Sequence, residues 1–517
     1  MTENVTLSRS FEITTLVAPD AIRSNLSQGK GIFFSEGQLS PTDTNYSDFI
    51  KCNSKDAFED QGDTTSLSDY TDSQSSSSSS PSPEPFELGH ENHENYPLDA
   101  KLTALVGREV VNAKEFCSMA SFVNSRIENG LENASFLVTN LTAIVNQFHQ
   151  WKRELPMVEP FYAVKCNPDP VIVRLLASLG CNFDCATMGE IDLVLNGLGD
   201  HSFKKSNKAS DSIVYANPAK MENMLKFALQ NDVSLTVFDG EDELYKLAAV
   251  EAAEGSKFNL LLRLTTDDSA SVCRFSKKFG CPVEDALNLL PIAQKLNLNI
   301  VGVSFHVGSG CGDAAAYATA LDHARRVFEE GTRLGMPPMT IVDLGGGFPG
   351  DTSGYGGEGM PTFQELAAVI RESIDTFNAT IPQEIRYIAE PGRYFVSAST
   401  AITTKVYSRK GGNNAYQALY VDDGVYGSFN NVVYDHAHPR PQRLRAYENE
   451  AIQEIPSAVF GPTCDGLDQM CTLEDTVLPR CEVGDWLIWE NQGAYTHTAS
   501  FVFNGYTHIP GKSYCVM

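Results

Sequence analysis

Three signals of membrane and exported proteins are missing from this sequence of 517 residues. No apolar run approaches the roughly 18 residues that a membrane-spanning helix needs. The N-terminus has no basic segment followed by an apolar core, so no secretory signal is expected. Cys515 lies third from the end, whereas a prenylated cysteine lies fourth. The sequence therefore predicts no membrane span, no export and no lipid anchor.

Basic residues are also scarce. Lys and Arg number 39 against 66 Asp and Glu, which gives a formal net charge of −27. Nucleic acids and anionic membranes are bound by clustered cations, so the sequence argues against both as partners. The twelve cysteines form no C-x-x-C pair and no Cys/His spacing typical of zinc. We predict free thiols, a cytoplasmic location and no metal site.

Residues 1–96 are rich in Ser, Asp, Asn and Thr and include an unbroken run from Ser75 to Ser80. Such a composition buries too little apolar surface to offset the entropy of ordering the chain. A disordered N-terminal extension is therefore predicted. It is either a regulatory tail open to phosphorylation at Ser-Pro or a passive solubilising segment.

Residues 136–395 alternate short apolar runs with amphipathic segments, a pattern typical of a parallel sheet. Eight or nine such units over this length predict a (β/α)8 barrel. One candidate strand too many is present, so the first is expected to be a linking strand. The candidates lie at 136–139, 161–164, 183–185, 213–215, 235–238, 260–264, 301–306, 341–344 and 385–389.

Beyond residue 395 the helical period fades, and strand-like runs at 415–421, 458–460 and 486–489 alternate with Gly, Pro and Asp. Residues 396–517 are therefore predicted to form an antiparallel β domain. Residues 97–135 are expected to belong to the same domain, with a strand at 102–111.

Active sites of such barrels lie at the C-terminal ends of the strands, where several reactive side chains are placed. Lys165 follows strand 161–164 and is either a Schiff-base lysine with a lowered pKa or a structural lysine paired with an acid. Gly345, Gly346 and Gly347 follow strand 341–344. They either let backbone amides approach a phosphate or only form a tight turn.

Two further strand ends are compatible with a ring-shaped cofactor. Glu390 could keep a pyridine nitrogen protonated and Arg393 could bind a phosphate, or the two could form an ion pair within their loop. His306 could stack on the ring and Ser309 could bind phosphate, although a single histidine is commonly structural.

Two loops of the β domain carry acids. Asp435 follows an apolar run, and Asp465 comes directly after Cys464 among turn-forming residues. The pattern fits either a clamp for a cationic substrate, with a thiol that handles a proton, or turns with Asx caps.

Taken together, these segments resemble the eukaryotic ornithine decarboxylases, which join a barrel that binds pyridoxal 5'-phosphate (PLP) to a β domain. The resemblance runs from residue 97 to the C-terminus. It rests on motifs in family order, among them FYAVKCN, FHVGSG, DLGGGFPG, EPGRYFV, YDHA and GPTCDGLD.

The resemblance implies that Lys165 forms the Schiff base with PLP, that His306 stacks on the pyridine ring and that Glu390 bonds the ring nitrogen. It also implies that Cys464 protonates the product carbanion. The other implied site residues are Asp184, Glu190 and Arg263 around the lysine and ring, Ser309, Gly345, Gly346, Gly347, Arg393 and Tyr495 around the phosphate, and Asp435 and Asp465 at the distal amine of ornithine.

The implied activity is decarboxylation of L-ornithine to putrescine and CO2, the first step of polyamine synthesis. In this family Cys464 and Asp465 reach into the partner's site, which implies a homodimer, and Lys278 and Asp468 match a cross-subunit ion pair. Antizyme is a further candidate partner. Two alternatives stay open: a decarboxylase of lysine or another basic amino acid, since one methylene gives only about 1–3 kcal/mol of discrimination, and a catalytically dead antizyme-binding homologue.

Overall fold

The computed structural model describes residues 98–197, 209–350, 359–411, 415–444, 453–506 and 510–517. The predicted disordered extension, residues 1–96, lies outside these ranges. Within them, no helix has the length and apolar character needed to cross a membrane. The eleven cysteines of the described ranges are free thiols, as predicted.

The first described segment corrects one sequence prediction. Residues 98–106 form a helix (Leu98–Val106), and only Val110–Asn112 form a strand, β1. Leu102 and Val106 are buried four residues apart, which is the spacing of one helix face rather than the alternation of a strand. A second helix, Met119–Glu128, and strand β2, Phe136–Asn140, follow.

Eight parallel strands close into a barrel, which confirms the predicted (β/α)8 architecture. Its interior is filled by apolar side chains such as Phe161, Val214 and Leu261. In chain order the barrel strands are β3 (Val158–Ala163), β4 (Asn182–Cys185), β5 (Ile213–Tyr215), β6 (Leu235–Phe238), β7 (Asn259–Arg263), β9 (Asn299–Ser304), β11 (Ile341–Asp343) and β12 (Arg386–Ala389). A separate two-stranded antiparallel sheet is formed by β8 (Ser271–Cys273) and β10 (Ser309–Cys311).

Helices surround the barrel and bury their apolar faces against its strands. The largest buried cluster runs through this layer and includes Trp151, Leu176 and Phe328. The helices are Leu141–Glu154, Pro170–Ser178, Met188–Asn196, Ala209–Ser212, Glu222–Gln230, Glu241–Glu254, Val283–Lys295, Ala315–Arg333 and Phe363–Thr380, followed by the short Arg393–Val396.

The remaining strands form a ten-stranded sheet, the β domain. Strand β2 pairs with β13 in this sheet, so the first strand candidate is a linking strand, as expected, and the barrel begins after β2 rather than at residue 136. Beside β1 and β2 the sheet contains β13 (Thr400–Lys410), β14 (Gln417–Val421), β15 (Pro441–Arg443), β16 (Glu454–Phe460), β17 (Gln469–Cys471), β18 (Val477–Pro479), β19 (Trp486–Trp489) and β20 (Gly511–Val516), with a short helix, Asn431–Tyr434, after β14.

The sheet is mixed, which corrects the prediction of an antiparallel domain. Strand β20 runs parallel to both β1 and β2, and β14 runs parallel to β16. These partners are separated by long stretches of chain, so no hairpin turn sets their relative direction. Strand β20 thereby brings the C-terminal end of the chain beside its earliest described strands.

Candidate active site

The C-terminal ends of the barrel strands meet around a cavity of about 860 Å³. Barrel pairing aligns Ala163 with Asp184, and Ser304 with both Arg263 and Asp343, so the residues that follow these positions converge. The sequence-predicted residues that line the cavity are Lys165, Arg263, His306, Ser309, Gly346, Gly347, Glu390, Arg393, Asp435 and Tyr495.

Lys165 lies in a one-turn 3-10 helix, Val164–Cys166, directly after β3. Its Nζ donates to a carboxylate oxygen of the fully buried Asp184. Burial lowers the pKa of Lys165, whereas the nearby Asp184, Tyr495 and Glu390 raise it. Their combined effect is larger than that of burial, so the pKa lies above its usual value. The expected lowering of this pKa is therefore wrong for the protein alone, because the acids outweigh desolvation.

Glu390 follows β12 and is 3% exposed. Burial raises the pKa of this carboxyl well above its usual range, and the neighbouring Asp343 and Asp184 raise it further. One oxygen of Glu390, Oε1, is buried without a hydrogen-bond partner among the described residues. Glu390 is thus a buried carboxyl with an oxygen available to a ligand, which disfavours the alternative of an ion pair with Arg393.

Asp343 is a site residue to which the sequence analysis assigned no role. Its carboxylate accepts from Gly345 N at 3.0 Å and from Ser304 Oγ at 2.9 Å, and it shares a hydrogen bond with Glu390. Burial raises the pKa of Asp343 to about 6, against these hydrogen bonds. An acid at the end of a buried strand, directly before three glycines, was the signal that could have revealed it.

His306 is a neutral imidazole. Burial, with help from Arg263 and Lys165, holds its pKa well below the usual range. Its Nδ1 accepts from Gly308 N at 3.0 Å, so the remaining ring proton lies on Nε2. The ring of Phe275 meets it edge-on, with centroids 4.9 Å apart. A neutral ring offers a flat face to an aromatic ligand without bringing in a further charge.

The three glycines pack where side chains do not fit. A Cβ on Gly345 would lie 2.1 Å from Phe305 O, and one on Gly346 would lie 2.7 Å from His306 Nε2. Gly345 and Gly347 also have positive φ values of 61° and 113°, which other residues rarely adopt. The loop therefore needs glycine both for its conformation and for its close approach to His306.

Arg393 joins the predicted phosphate residues to the predicted substrate residue. Its Nη2 donates to Asp435 Oδ2 at 2.6 Å and lies 3.4 Å from Ser309 Oγ. The guanidinium also lies over the ring of Tyr495, 5.1 Å from its centroid. Cys273 approaches the other oxygen of Asp435 at 3.4 Å. Asp435 is thus a largely buried carboxylate on the cavity wall, and the sequence analysis had not placed Cys273 beside it.

Glu190 does not line the cavity but contacts a residue that does. Its Oε2 accepts from the backbone N–H of Ala186, a lining residue, at 2.5 Å. Burial raises the pKa of Glu190.

Cys464 and Asp465 do not line the cavity of their own chain. Cys464 is exposed, and its N–H donates to Asn504 Oδ1 at 2.9 Å. Asp465 accepts from the hydroxyl of Tyr426. Asp468 in the same loop is buried, and its carboxylate accepts from Val425 N and Thr463 N, each at 2.9 Å. The ion pair between Asp468 and Lys278 of a partner stays a prediction.

Comparison with known proteins agrees with this geometry. The model of the family "Pyridoxal-dependent decarboxylase, pyridoxal binding domain" matches residues 141–397. An ornithine decarboxylase of Caenorhabditis elegans is 39% identical over 390 residues, which are 72% of this chain and 86% of that protein. The chain belongs to the ornithine decarboxylase-like family of PLP-dependent decarboxylases.

Two other relatives show the breadth of this family. Antizyme inhibitor 2 of Xenopus laevis is 40% identical over 389 residues, covering 73% of this chain and 80% of that protein. The arginine decarboxylase of Paramecium bursaria Chlorella virus, in a structure with agmatine, superposes with a TM-score of 0.67 at 29% identity. The match covers 77% of this chain and all of the viral chain. The chain is thus similar to relatives that are named for different activities.

The cavity fits PLP, the cofactor of this family. Oε1 of Glu390, which has no hydrogen-bond partner in the described part of the chain, suits the protonated ring nitrogen. The neutral ring of His306 suits the face of the pyridine, and Gly346 and Gly347 of the glycine loop line the cavity, where their backbone amides can approach a phosphate. Lys165 brings an amine to the same cavity for the aldehyde carbon.

Proposed function

We propose that this protein decarboxylates L-ornithine to putrescine and CO2, in the cytoplasm, as a step of polyamine synthesis. The observation that carries the proposal is Asp435, a carboxylate that is only 13% exposed and that lines the same cavity as Lys165. Although one oxygen of Asp435 is paired with Arg393, the carboxylate borders the same cavity as Lys165, and an acid there favours a substrate with a second, distal ammonium group.

When bound, PLP supplies the electron-accepting ring that stabilises the electron pair left on Cα as CO2 departs. Lys165 would hold the aldehyde carbon, and Glu390 would accept a hydrogen bond from the ring nitrogen. The amides of the glycine loop, Ser309 and Arg393 would bind the phosphate. Asp435 would bind the distal ammonium and so orient the substrate in the cavity.

We propose a homodimer because the loop to which the resemblance assigns the proton donor for Cα lies outside the cavity of its own chain. Cys464 is exposed, and neither it nor Asp465 lines that cavity. In a two-fold dimer the same loop of each chain reaches the same place on the other. Cys464 of the partner would then protonate Cα, while Asp465 of the partner would join Asp435 at the distal ammonium.

Two other assignments have support among the relatives. The viral neighbour is an arginine decarboxylase, so the fold by itself does not fix the length of the substrate. Antizyme inhibitor 2 is as similar in sequence as the ornithine decarboxylases. The complete set of Lys165, His306, Glu390 and the glycine loop favours an enzyme over an inactive homologue, whether or not antizyme also binds.

The deciding experiment has two parts. Borohydride reduction of the purified protein, followed by peptide mapping, should place a pyridoxyl group on Lys165, and Lys165→Ala should lose both the label and CO2 release. Release of CO2 from ornithine, lysine and arginine should then show the highest kcat/KM for ornithine. Label on another lysine would overturn the site, and a preference for lysine or arginine would overturn the substrate.

A further inference from the structure

The segment that carries Lys165 is tied to the β domain as well as to the barrel. We call residues 164–169, between β3 and helix Pro170–Ser178, the lysine turn. Cys166 O accepts from Tyr495 N at 3.0 Å and from Thr498 Oγ1 at 3.2 Å. Asn167 Nδ2 donates to Gly493 O at 2.9 Å. The lysine turn therefore follows β3 of the barrel directly and is hydrogen-bonded to residues 493–498, which are far away in the sequence.

Asp169 is the last residue of the lysine turn, and its carboxylate accepts hydrogen bonds from three residues. It caps helix Pro170–Ser178 by accepting from Val171 N at 3.0 Å. It also accepts from Lys512 Nζ at 2.9 Å and from the hydroxyl of Tyr514 at 3.0 and 3.2 Å. The Asp169 side chain is 6% exposed, so its carboxylate relies on these partners rather than on water for its hydrogen bonds.

Lys512 and Tyr514 both belong to β20. Two residues apart on a strand, they lie on the same face, and both meet Asp169. Strand β20 is fixed between β1 and β2, with Tyr514 opposite Val110 and Thr139. Burial and the nearby Asp169 raise the pKa of Tyr514, so it acts as a neutral donor. The last strand thus presents a cation and a phenol to the end of the lysine turn.

We propose that Lys512 and Tyr514 are positioning residues for the reaction: acting through Asp169, they hold the turn that presents Lys165 to the cofactor. The inference rests on the proposed role of Lys165. The turn is fixed at one end by β3 and at the other by Asp169. Loss of a donor leaves a buried carboxylate underpaired and frees that end. Displacement of a reacting group by 1 Å can lower a rate about 100-fold.

The test compares Lys512→Met and Tyr514→Phe with matched controls that line neither the cavity nor the lysine turn. Lys257→Met also removes a half-exposed lysine from a buried carboxylate, Glu251, at 2.6 Å. Tyr387→Phe removes a hydroxyl that donates to Asn378 Oδ1 at 2.8 Å. Each variant is purified with PLP and assayed with L-ornithine. The readouts are kcat, KM, the thermal midpoint, and the pH at which the visible absorption of bound cofactor changes.

We expect Lys512→Met to lower kcat about tenfold, while KM changes less than about twofold. The effect on kcat is smaller than the roughly 100-fold loss for a 1 Å displacement, because β3 still holds the other end of the turn. The pH midpoint of the cofactor absorption should shift, and Tyr514→Phe should show the same changes to a smaller degree. Lys512→Arg, which keeps the charge, should restore both. The controls should lose comparable thermal stability yet keep kcat and the pH midpoint.

Unchanged kcat and pH midpoint in both test variants would refute the inference, as would equal changes in the controls. If Lys512→Met does not fold, Tyr514→Phe, which removes a single oxygen, decides the matter by the same readouts. Borohydride labelling of the wild type separates the two proposals. Label on a lysine other than Lys165 overturns the proposed site, whereas label on Lys165 with unaffected variants overturns only the role of β20.

Discussion

Subunit complementation tests the most demanding part of the proposed function, because it needs residues from two chains in one site. Lys165 lines the cavity of its own chain, whereas Cys464 is exposed and does not. Lys165→Ala and Cys464→Ala should each be inactive as homodimers. Mixed under conditions that allow subunits to exchange, they should regain activity that neither has alone.

The magnitude follows from two-fold symmetry. Random pairing of equal amounts makes about half of the dimers mixed. In a mixed dimer, one site receives both altered residues and the other receives neither. Since one site in two is intact in about half of the dimers, about a quarter of the wild-type activity should return.

The assay is CO2 release from L-ornithine, with exchange measured independently by mass on subunits carrying different tags. Controls are each variant mixed with itself and the two variants mixed under conditions that prevent exchange. If Lys165 and Cys464 acted within one chain, every site would retain one altered residue. A fully exchanged mixture as inactive as its parents would therefore refute the shared site.

Two further predictions concern single acids. Asp435→Ala should raise the KM for ornithine at least about thirtyfold, because a lost partner of a desolvated cation costs about 2 kcal/mol or more. The affinity for PLP, measured by spectral titration, should not fall, since Arg393 is released from its 2.6 Å ion pair with Asp435. Equal losses of both affinities would contradict the assignment. Asp343 has a pKa of about 6 in the folded chain, above its ordinary value of 3.8, so its stabilising contribution is present below about pH 4 and is lost as pH rises through 6. In chemical denaturation of the cofactor-free protein, Asp343→Asn should therefore gain roughly 1–3 kcal/mol relative to wild type between pH 4 and pH 7, and a pH-independent difference would show that Asp343 does not titrate in this way.

Strand positions were readable because strands that are buried on both faces consist of short, nearly continuous apolar runs. The predicted strands at 213–215, 235–238 and 486–489 agree residue by residue with β5, β6 and β19. The helix Leu98–Val106 was missed because apolar and polar residues alternate from Leu98 to Ala104, a pattern that also fits a short strand. The directions of β20 and β16 were wrong because they depend on partners far away in the chain.

The site residues likewise fall into those that the sequence revealed and those that it did not. Residues directly after strands, such as Lys165, His306 and Glu390, could be placed because a barrel brings all strand ends to one face. Asp343 and Cys273 were missed because their importance lies in contacts with Glu390 and Asp435, which are distant in sequence.

The sequence by itself determined the alternation of strands and helices, the reactive residues at the strand ends and the family, since these depend on local pattern and motif order. Only the tertiary structure decided which charges meet. It pairs Lys165 with Asp184 and so raises a pKa that burial alone would lower. It also joins Arg393 to Asp435 and ties Asp169 to Lys512 across 343 residues. Electrostatic interactions depend on distance in space and on burial, and neither quantity is written in the order of residues.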